Sequence, residues 1–160
     1  TAHFSTNDHR LKTPVGSTVQ AFTIFMVMQQ TTIGQSGNRR FFSQSQSAPT
    51  VNELRVDASG NVQATAGQLT TVFSESTDLI LVTMLFNGTS SIIRKDGVQV
   101  FSGDLGGANN IGLNLGKYFD NSLGINSPFF KCPELALYNS NKTADFTEIE
   151  GYFNDYYGIY

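Results

Sequence analysis

The sequence predicts an all-β domain of two antiparallel sheets packed face to face, closed by a single C-terminal helix. Three observations predict it. Short runs rich in Val, Ile and Phe recur at hairpin spacing between Gly-, Asn- and Ser-rich turns, about ten to thirteen strands in all. Two of these runs, within 18–30 and 78–87, are dense in apolar residues, as expected of central strands covered on both faces. Only one stretch, 143–157, carries the spacing of an amphipathic helix. With no internal repeat and no linker, residues 1–160 read as one domain, long enough to bury a sizeable core.

The elements follow in order. Residues 1–14 are polar and read as an irregular N-terminal arm, with His3 and Phe4 the positions where an edge strand could begin. The first central strand lies within 18–30, bounded by Gly16 and Gly34. A loop over 34–38 precedes a short strand at 39–43, and a second loop spans 44–49. Residues 52–57 alternate polar and apolar, and Ser59-Gly60-Asn61 turns them back onto 62–66. Residues 67–77 connect to the second central strand, 78–87, which ends at Asn87-Gly88. Strands at 90–94 and 98–102 flank the hairpin signal Asp96-Gly97, a further strand covers 109–115, and 117–128 is a long polar loop. Phe130, Leu135, Leu137 and Tyr138 mark the last strand.

The helix is read from its ends and its stripe. Thr143 is placed as N-cap and Asp145 in the first turn, where the helix dipole favours an acid. Phe146, Ile149, Phe153 and Tyr156 or Tyr157 share one face, and Gly158 stands where a left-handed residue ends a helix. Such a stripe must lie on a sheet.

Composition excludes several classes. Charged residues are 14% of the chain and the net charge is −3, without a basic cluster beyond Arg39-Arg40 and Arg94-Lys95, so nucleic acid is not an expected partner. The single Cys132 excludes an intrachain disulfide and reads as a small buried apolar residue. The longest apolar run, 79–86, is too short to span a bilayer as a helix, so no membrane insertion is expected. Low charge with abundant Ser, Thr, Asn, Gln and Gly suits an extracellular or virion domain. The chain begins at Thr1 with neither Met nor an apolar leader, so an excised domain or processed product is expected.

Three stretches in this order resemble the concanavalin A-like, laminin-G-like jelly roll. They are Ala21-Phe22-Thr23-Ile24-Phe25, then 79–86 leading through 91–100, and finally Glu134-Leu135-Ala136-Leu137-Tyr138-Asn139 with the helix end Tyr152-Phe153-Asn154-Asp155-Tyr156-Tyr157-Gly158-Ile159. The resemblance runs from about Ala21 onward. It departs at Cys132-Pro133, where the family often has Gly, and at Asp96, where Asn is usual. It implies a jelly-roll sandwich of the kind found in lectins, carbohydrate-binding modules, glucanases and the receptor-binding tips of phage tail fibres. Fold alone does not choose among them.

The chemistry-bearing residues narrow the choice. Glucanases of this fold carry a Glu-x-Asp-x-x-Glu strand motif whose close carboxylates suit a retaining mechanism. Glu53 with Asp57, Glu75 with Asp78, and Glu148 with Glu150 do not match that spacing and read as solvated acids. His3 and His9 lie in the arm, away from any packed triad. Residues 112–117 look like a phosphate loop but are one residue short, with Tyr118 where Ser or Thr would hold magnesium. No catalytic site and no required cofactor are therefore expected. Laminin-G-like domains often hold calcium at a rim, which leaves Asp104, Asp120 and Asn121 as candidate ligands.

Glycan recognition remains, and needs an aromatic platform with polar groups beside it. The loop 117–128 supplies Tyr118, Asp120, Asn121 and Asn126, and Arg39 in the 34–40 loop could grip a carboxylated sugar. The leading expectation is a non-catalytic domain binding cell-surface polysaccharide or lipopolysaccharide, as the distal domain of a phage tail fibre, in a homotrimer. A structural or oligomerisation module of a fibre, and a carbohydrate-binding module of a polysaccharide-degrading enzyme, are the alternatives.

Overall fold

Two strands carry apolar side chains on both faces, and the molecule is layered around them. In the computed structural model, which describes residues 2–4, 11–43, 52–116 and 129–160, these are β3 (Phe22–Gln30) and β8 (Leu79–Phe86), antiparallel neighbours in register from Phe22 opposite Phe86 to Gln29 opposite Leu79. Alternation sends Phe22, Ile24, Met26 and Met28 of β3, with Ile80, Val82, Met84 and Phe86 of β8, into one core. It sends Phe25, Val27, Leu81 and Leu85 to the opposite face.

The full strand order gives two six-stranded antiparallel sheets. The first runs β1 (Ala2–Phe4), β12 (Phe130–Tyr138), β3, β8, β9 (Ser91–Lys95), β10 (Val98–Gly103). The second runs β2 (Leu11–Thr18), β11 (Asn110–Leu115), β4 (Arg39–Ser43), β5 (Asn52–Val56), β6 (Asn61–Ala66), β7 (Thr70–Ser74). The inter-sheet core takes Phe42, Leu54, Val56, Val62 and Ala64 from the second sheet against the apolar face of the first. This is a two-sheet jelly-roll sandwich. The outer face of the first sheet is covered by α1 (Phe146–Tyr157), which buries Phe146 and Phe153 on Phe25, Leu81 and Leu85.

Turn chemistry fixes the registers. Asp57 closes the β5–β6 hairpin, its carboxylate accepting from the N–H groups of Ser59 and Asn61 at 2.8 and 3.0 Å. In the β9–β10 hairpin Asp96 and Gly97 both have positive φ, 51° and 74°, the geometry that Asp-Gly tolerates. Helix α1 ends on Gly158 in the left-handed region, its N–H donating to the Asn154 carbonyl at 2.7 Å.

Several expectations are corrected. Residues 1–14 are not simply an irregular arm, since Ala2–Phe4 pairs with β12 and Leu11–Thr18 pairs with β11. Both are edge strands: β1 falls where His3 and Phe4 suggested one, and β2 shows no strand pattern because an edge tolerates polar residues and Pro14. The connector 67–77 holds another edge strand, β7, in which Val72 alone is buried. Thr143 does not cap α1; it opens a 3-10 turn, Thr143–Asp145, tied by the Asn141 side chain and by a Lys142–Asp145 pair. At Cys132-Pro133 the β12–β3 register shifts between Lys131 and Glu134, a bulge that accommodates a residue without an N–H. Cys132 is buried as expected, and burial pushes its thiol up to about 12.

Candidate functional site

The acids read as solvated fall into two groups. Glu53 is buried between Arg40, whose Nε donates at 2.7 Å, and Arg55 at 3.2 Å. Glu75 takes hydrogen bonds from Arg39 Nη2 at 3.2 Å, Gln30 Nε2 at 3.2 Å and the Gly34 N–H at 2.6 Å. Glu150, 3% exposed, receives both Nε and Nη2 of Arg94, at 2.8 and 3.0 Å. These three are buried structural partners, because each meets an arginine from another strand or element, a pairing that sequence spacing does not display. Asp78 and Glu148 are exposed.

Of the residues expected to contact a glycan, Tyr118, Asp120, Asn121 and Asn126 lie outside the described residues. Arg39 is placed, and it does not present itself to a ligand. It is 1% exposed, packed beside Glu75, and burial lowers its guanidinium from the ordinary value against the opposing pull of Glu75 and Asp57. Position 39 follows a polar loop, so the sequence suggested a surface residue; instead the whole of β4 is buried. Asp104 is engaged in a turn, accepting from the Gly106 N–H and from Gln68, and no three metal-ligating side chains cluster among the described residues. Residues 112–115 of the apparent phosphate loop belong to β11 rather than to a strand-to-helix loop.

The structure offers a different site, along one flank of α1. Past the short β1, which pairs with β12 only over residues 130–132, β12 presents Glu134, Ala136 and Tyr138 to the outer face of the sheet. Opposite them stand Glu148, Ile149, Tyr152 and Phe153 of α1. The seven residues enclose an open cleft of about 300 Å³. Its floor is apolar, Ala136 with Ile149 and Phe153, and its walls are two tyrosines and two carboxylates.

Each wall is positioned by local structure. Glu148 and Tyr152 are one helical turn apart and share a face. Tyr152 is 56% exposed and stacks with Tyr156, ring centroids 6.4 Å apart and planes within 19°. Glu134 is held by the Tyr157 hydroxyl, which donates to Oε2 at 3.0 Å. Desolvation first, and then that hydrogen bond, pushes the Tyr157 phenol up to about 12, so it stays a donor throughout the neutral range. Tyr138 lies edge-on to Phe25 with centroids 5.8 Å apart, and carries the Lys142 ammonium 5.3 Å from its ring centre. Neither Glu134 nor Glu148 forms an ion pair among the described residues.

The arrangement can stack the apolar face of a ring on tyrosine and accept hydrogen bonds from hydroxyl or amino groups. Sequence reasoning passed over it because Glu148, Tyr152 and Tyr156 sit on the helix face turned from the core. The available signal was their i, i+4 spacing beside the alternation of Glu134, Ala136 and Tyr138.

No family profile and no curated protein matches the chain. Solved structures do. Trypanosoma rangeli sialidase superposes with a TM-score of 0.70 at 13% identity, over 97% of this chain and 27% of the sialidase. A Bacteroides ovatus protein proposed to bind carbohydrate gives 0.66 at 16% identity, over 88% of this chain and 44% of that one. The heptameric SAP-like pentraxin of Limulus polyphemus gives 0.59 at 11% identity, over 86% and 75%. These likenesses show the concanavalin A-like jelly-roll fold. The chain spans about a quarter of the sialidase's length.

Proposed function

We propose that this domain is a non-catalytic carbohydrate-recognition module whose sugar site is the cleft between β12 and α1. The observation that carries the reading is the cleft itself: exposed Tyr152 and half-buried Tyr138 beside Glu134 and Glu148, over an apolar floor. A sugar ring needs that combination of an aromatic face and charged acceptors for its hydroxyls. The sialidase and the carbohydrate-associated Bacteroides protein among the fold neighbours support the class of ligand. The ligand in this reading is a cell-surface polysaccharide or lipopolysaccharide, and the setting is extracellular, at the distal end of a trimeric phage tail fibre. Tyr118, Asp120, Asn121 and Asn126 form a second contact region. No cofactor is required, and adding Ca2+ to the binding assay tests whether Asp104, Asp120 or Asn121 brings in an ion.

A glycan array on the domain, repeated with Tyr152→Ala, tests the proposal. Binding to a defined set of glycans that falls about tenfold or more in the variant is expected, the scale of one lost stacking contact with its polar neighbours. A parent that binds no glycan sinks it. One observation favours a competing hydrolase reading, since two carboxylates line one cleft. Release of reducing ends that disappears in Glu134→Gln or Glu148→Gln would establish that reading instead. Light scattering on a chain carrying its native upstream segment tests the trimer, and a clean monomer excludes it.

A further inference from the structure

We infer that the cleft selects sugars bearing a free, protonated amine over N-acetylated or carboxylated ones. The inference rests on the carbohydrate reading above and narrows it to a ligand class.

The charge of the lining is the first ground. Among the described residues Glu134 and Glu148 are its only ionisable side chains besides the tyrosines, and no Lys or Arg lines it. Tyr157 occupies Glu134 Oε2 as a neutral donor, which fixes the carboxylate without cancelling its charge. Lys142, which lies over the ring of Tyr138, is committed to Asp145 Oδ2 at 2.8 Å, so that pair adds no net charge. Arg94 lines the pocket on the other side of the helix and is bound to Glu150. A carboxylated sugar entering here would bring a third negative charge to two others, with no cation among the described lining residues to neutralise it. Like charges at such separations raise the cost of binding rather than lower it.

The second ground is that the protein already holds an ammonium this way at the end of the same cleft. The Lys142 Nζ sits between the face of Tyr138, 5.3 Å from its centroid, and the Asp145 carboxylate. An aromatic face supplies the quadrupole attraction and a carboxylate the ion pair. Glu148 and Tyr152, on one face of α1, repeat that combination of groups with both side chains exposed. An amino sugar stacked on Tyr152 would place its ammonium where Glu148 and Glu134 can reach it. An N-acetyl group removes that charge and adds bulk, and a hydroxyl keeps the hydrogen bond alone.

The test compares three oligosaccharides of equal length, a β-1,4-glucosamine oligomer, its fully N-acetylated form and an oligogalacturonate. Titration calorimetry is run with the whole domain at a pH where the amines are protonated. The glucosamine oligomer is expected to bind about tenfold more tightly than the N-acetylated one, the scale of an exposed cation–π contact with a partly exposed ion pair. Added salt should weaken it. Glu148→Gln should erase the preference while leaving the melting temperature unchanged, because Glu148 is exposed. Equal or tighter binding of the N-acetylated or acidic oligomer overturns the inference and leaves the carbohydrate reading standing. A preference that survives both Glu148→Gln and Tyr152→Ala marks diffuse attraction of a polycation to an acidic protein, and also overturns it. Absence of binding to all three oligomers and to the glycan array removes the carbohydrate reading itself.

Discussion

Truncating Phe153 to alanine tests whether α1 is an integral layer of the sandwich. Phe153 is 2% exposed and stacks on Phe25 of β3, ring centroids 6.1 Å apart. Phe146 and Tyr138 meet the same Phe25 ring edge-on at 5.9 and 5.8 Å, so four aromatics share one cluster on the outer face of the sheet. Losing a buried phenyl ring costs about 3–5 kcal/mol, with the upper part of the range reached when the surroundings cannot collapse. Collapse is hindered here because the Arg94–Glu150 pair pins the helix on one side and Gly158 ends it with a backbone hydrogen bond. For a domain of this size each kcal/mol shifts the melting temperature by roughly 2–4 °C, so a drop of roughly 6–20 °C is expected. Urea unfolding followed by far-UV circular dichroism gives the free energy directly. Tyr156→Ala, at a residue 71% exposed, is the control and should move stability by no more than about 0.5 kcal/mol. A loss below about 1 kcal/mol for Phe153→Ala, or a helix that melts in its own earlier transition, would show α1 to be an appendage. The same variant should also weaken glycan binding, since Phe153 floors the cleft.

Two further outcomes concern charge. Arg94→Met should cost about 3–5 kcal/mol, because it strands the buried Glu150 carboxylate, whereas Arg94→Met with Glu150→Leu should recover most of that loss; urea unfolding of the three variants measures both, and an additive double variant refutes the coupling. The Asn61 N–H, first among its hydrogen bonds, holds the Asp57 carboxyl below its ordinary value. Its contribution is therefore present above the unfolded carboxylate value, about 3.9, and lost as pH falls through the lower folded one. Thermal melts from pH 7 to pH 2 should show a shallower acid limb for Asp57→Ala than for the parent, and an unchanged limb would exclude this hairpin as a source of acid sensitivity.

How much was legible follows from what each residue's neighbours demand. β3 and β8 announced themselves because covering a strand on both faces requires apolar residues at consecutive positions, and Phe22–Gln30 and Leu79–Phe86 have them. The hairpins at Ser59-Gly60-Asn61 and Asp96-Gly97 were legible for a local reason, since positive φ needs Gly, Asn or Asp. Gly158 ended the helix where the sequence placed it. The edge strand β1 was suggested at His3 and Phe4, while β2 and β7 were hidden because an edge needs little apolar character and is kept polar against aggregation. Glu53, Glu75 and Glu150 were misread as solvated because their arginine partners come from β4, β5 and β9, and no local spacing encodes that meeting. Arg39 failed as a surface residue for the same reason.

The position of the cleft follows from a mismatch of widths. Six strands at about 4.8 Å make the first sheet some 24 Å across, while one helix with its side chains covers about 10–12 Å. A helix seated over β3 and β8 therefore leaves a step on each side, one toward β9 and one toward β12. On the β9 side an open pocket of about 290 Å³ remains, but its charged groups are paired within the chain. Arg94 reaches Glu150 and the Gly97 carbonyl, and the Tyr160 ring lies so close to Gly97 that a Cβ there would come within 3.0 Å of its hydroxyl. On the β12 side the step carries Glu134 and Glu148 without a basic partner among the described residues, beside the exposed Tyr152. Evenly satisfied flanks would make both steps structural. Their asymmetry leaves the attractive charge on one side only, and that is where a ligand has something to neutralise.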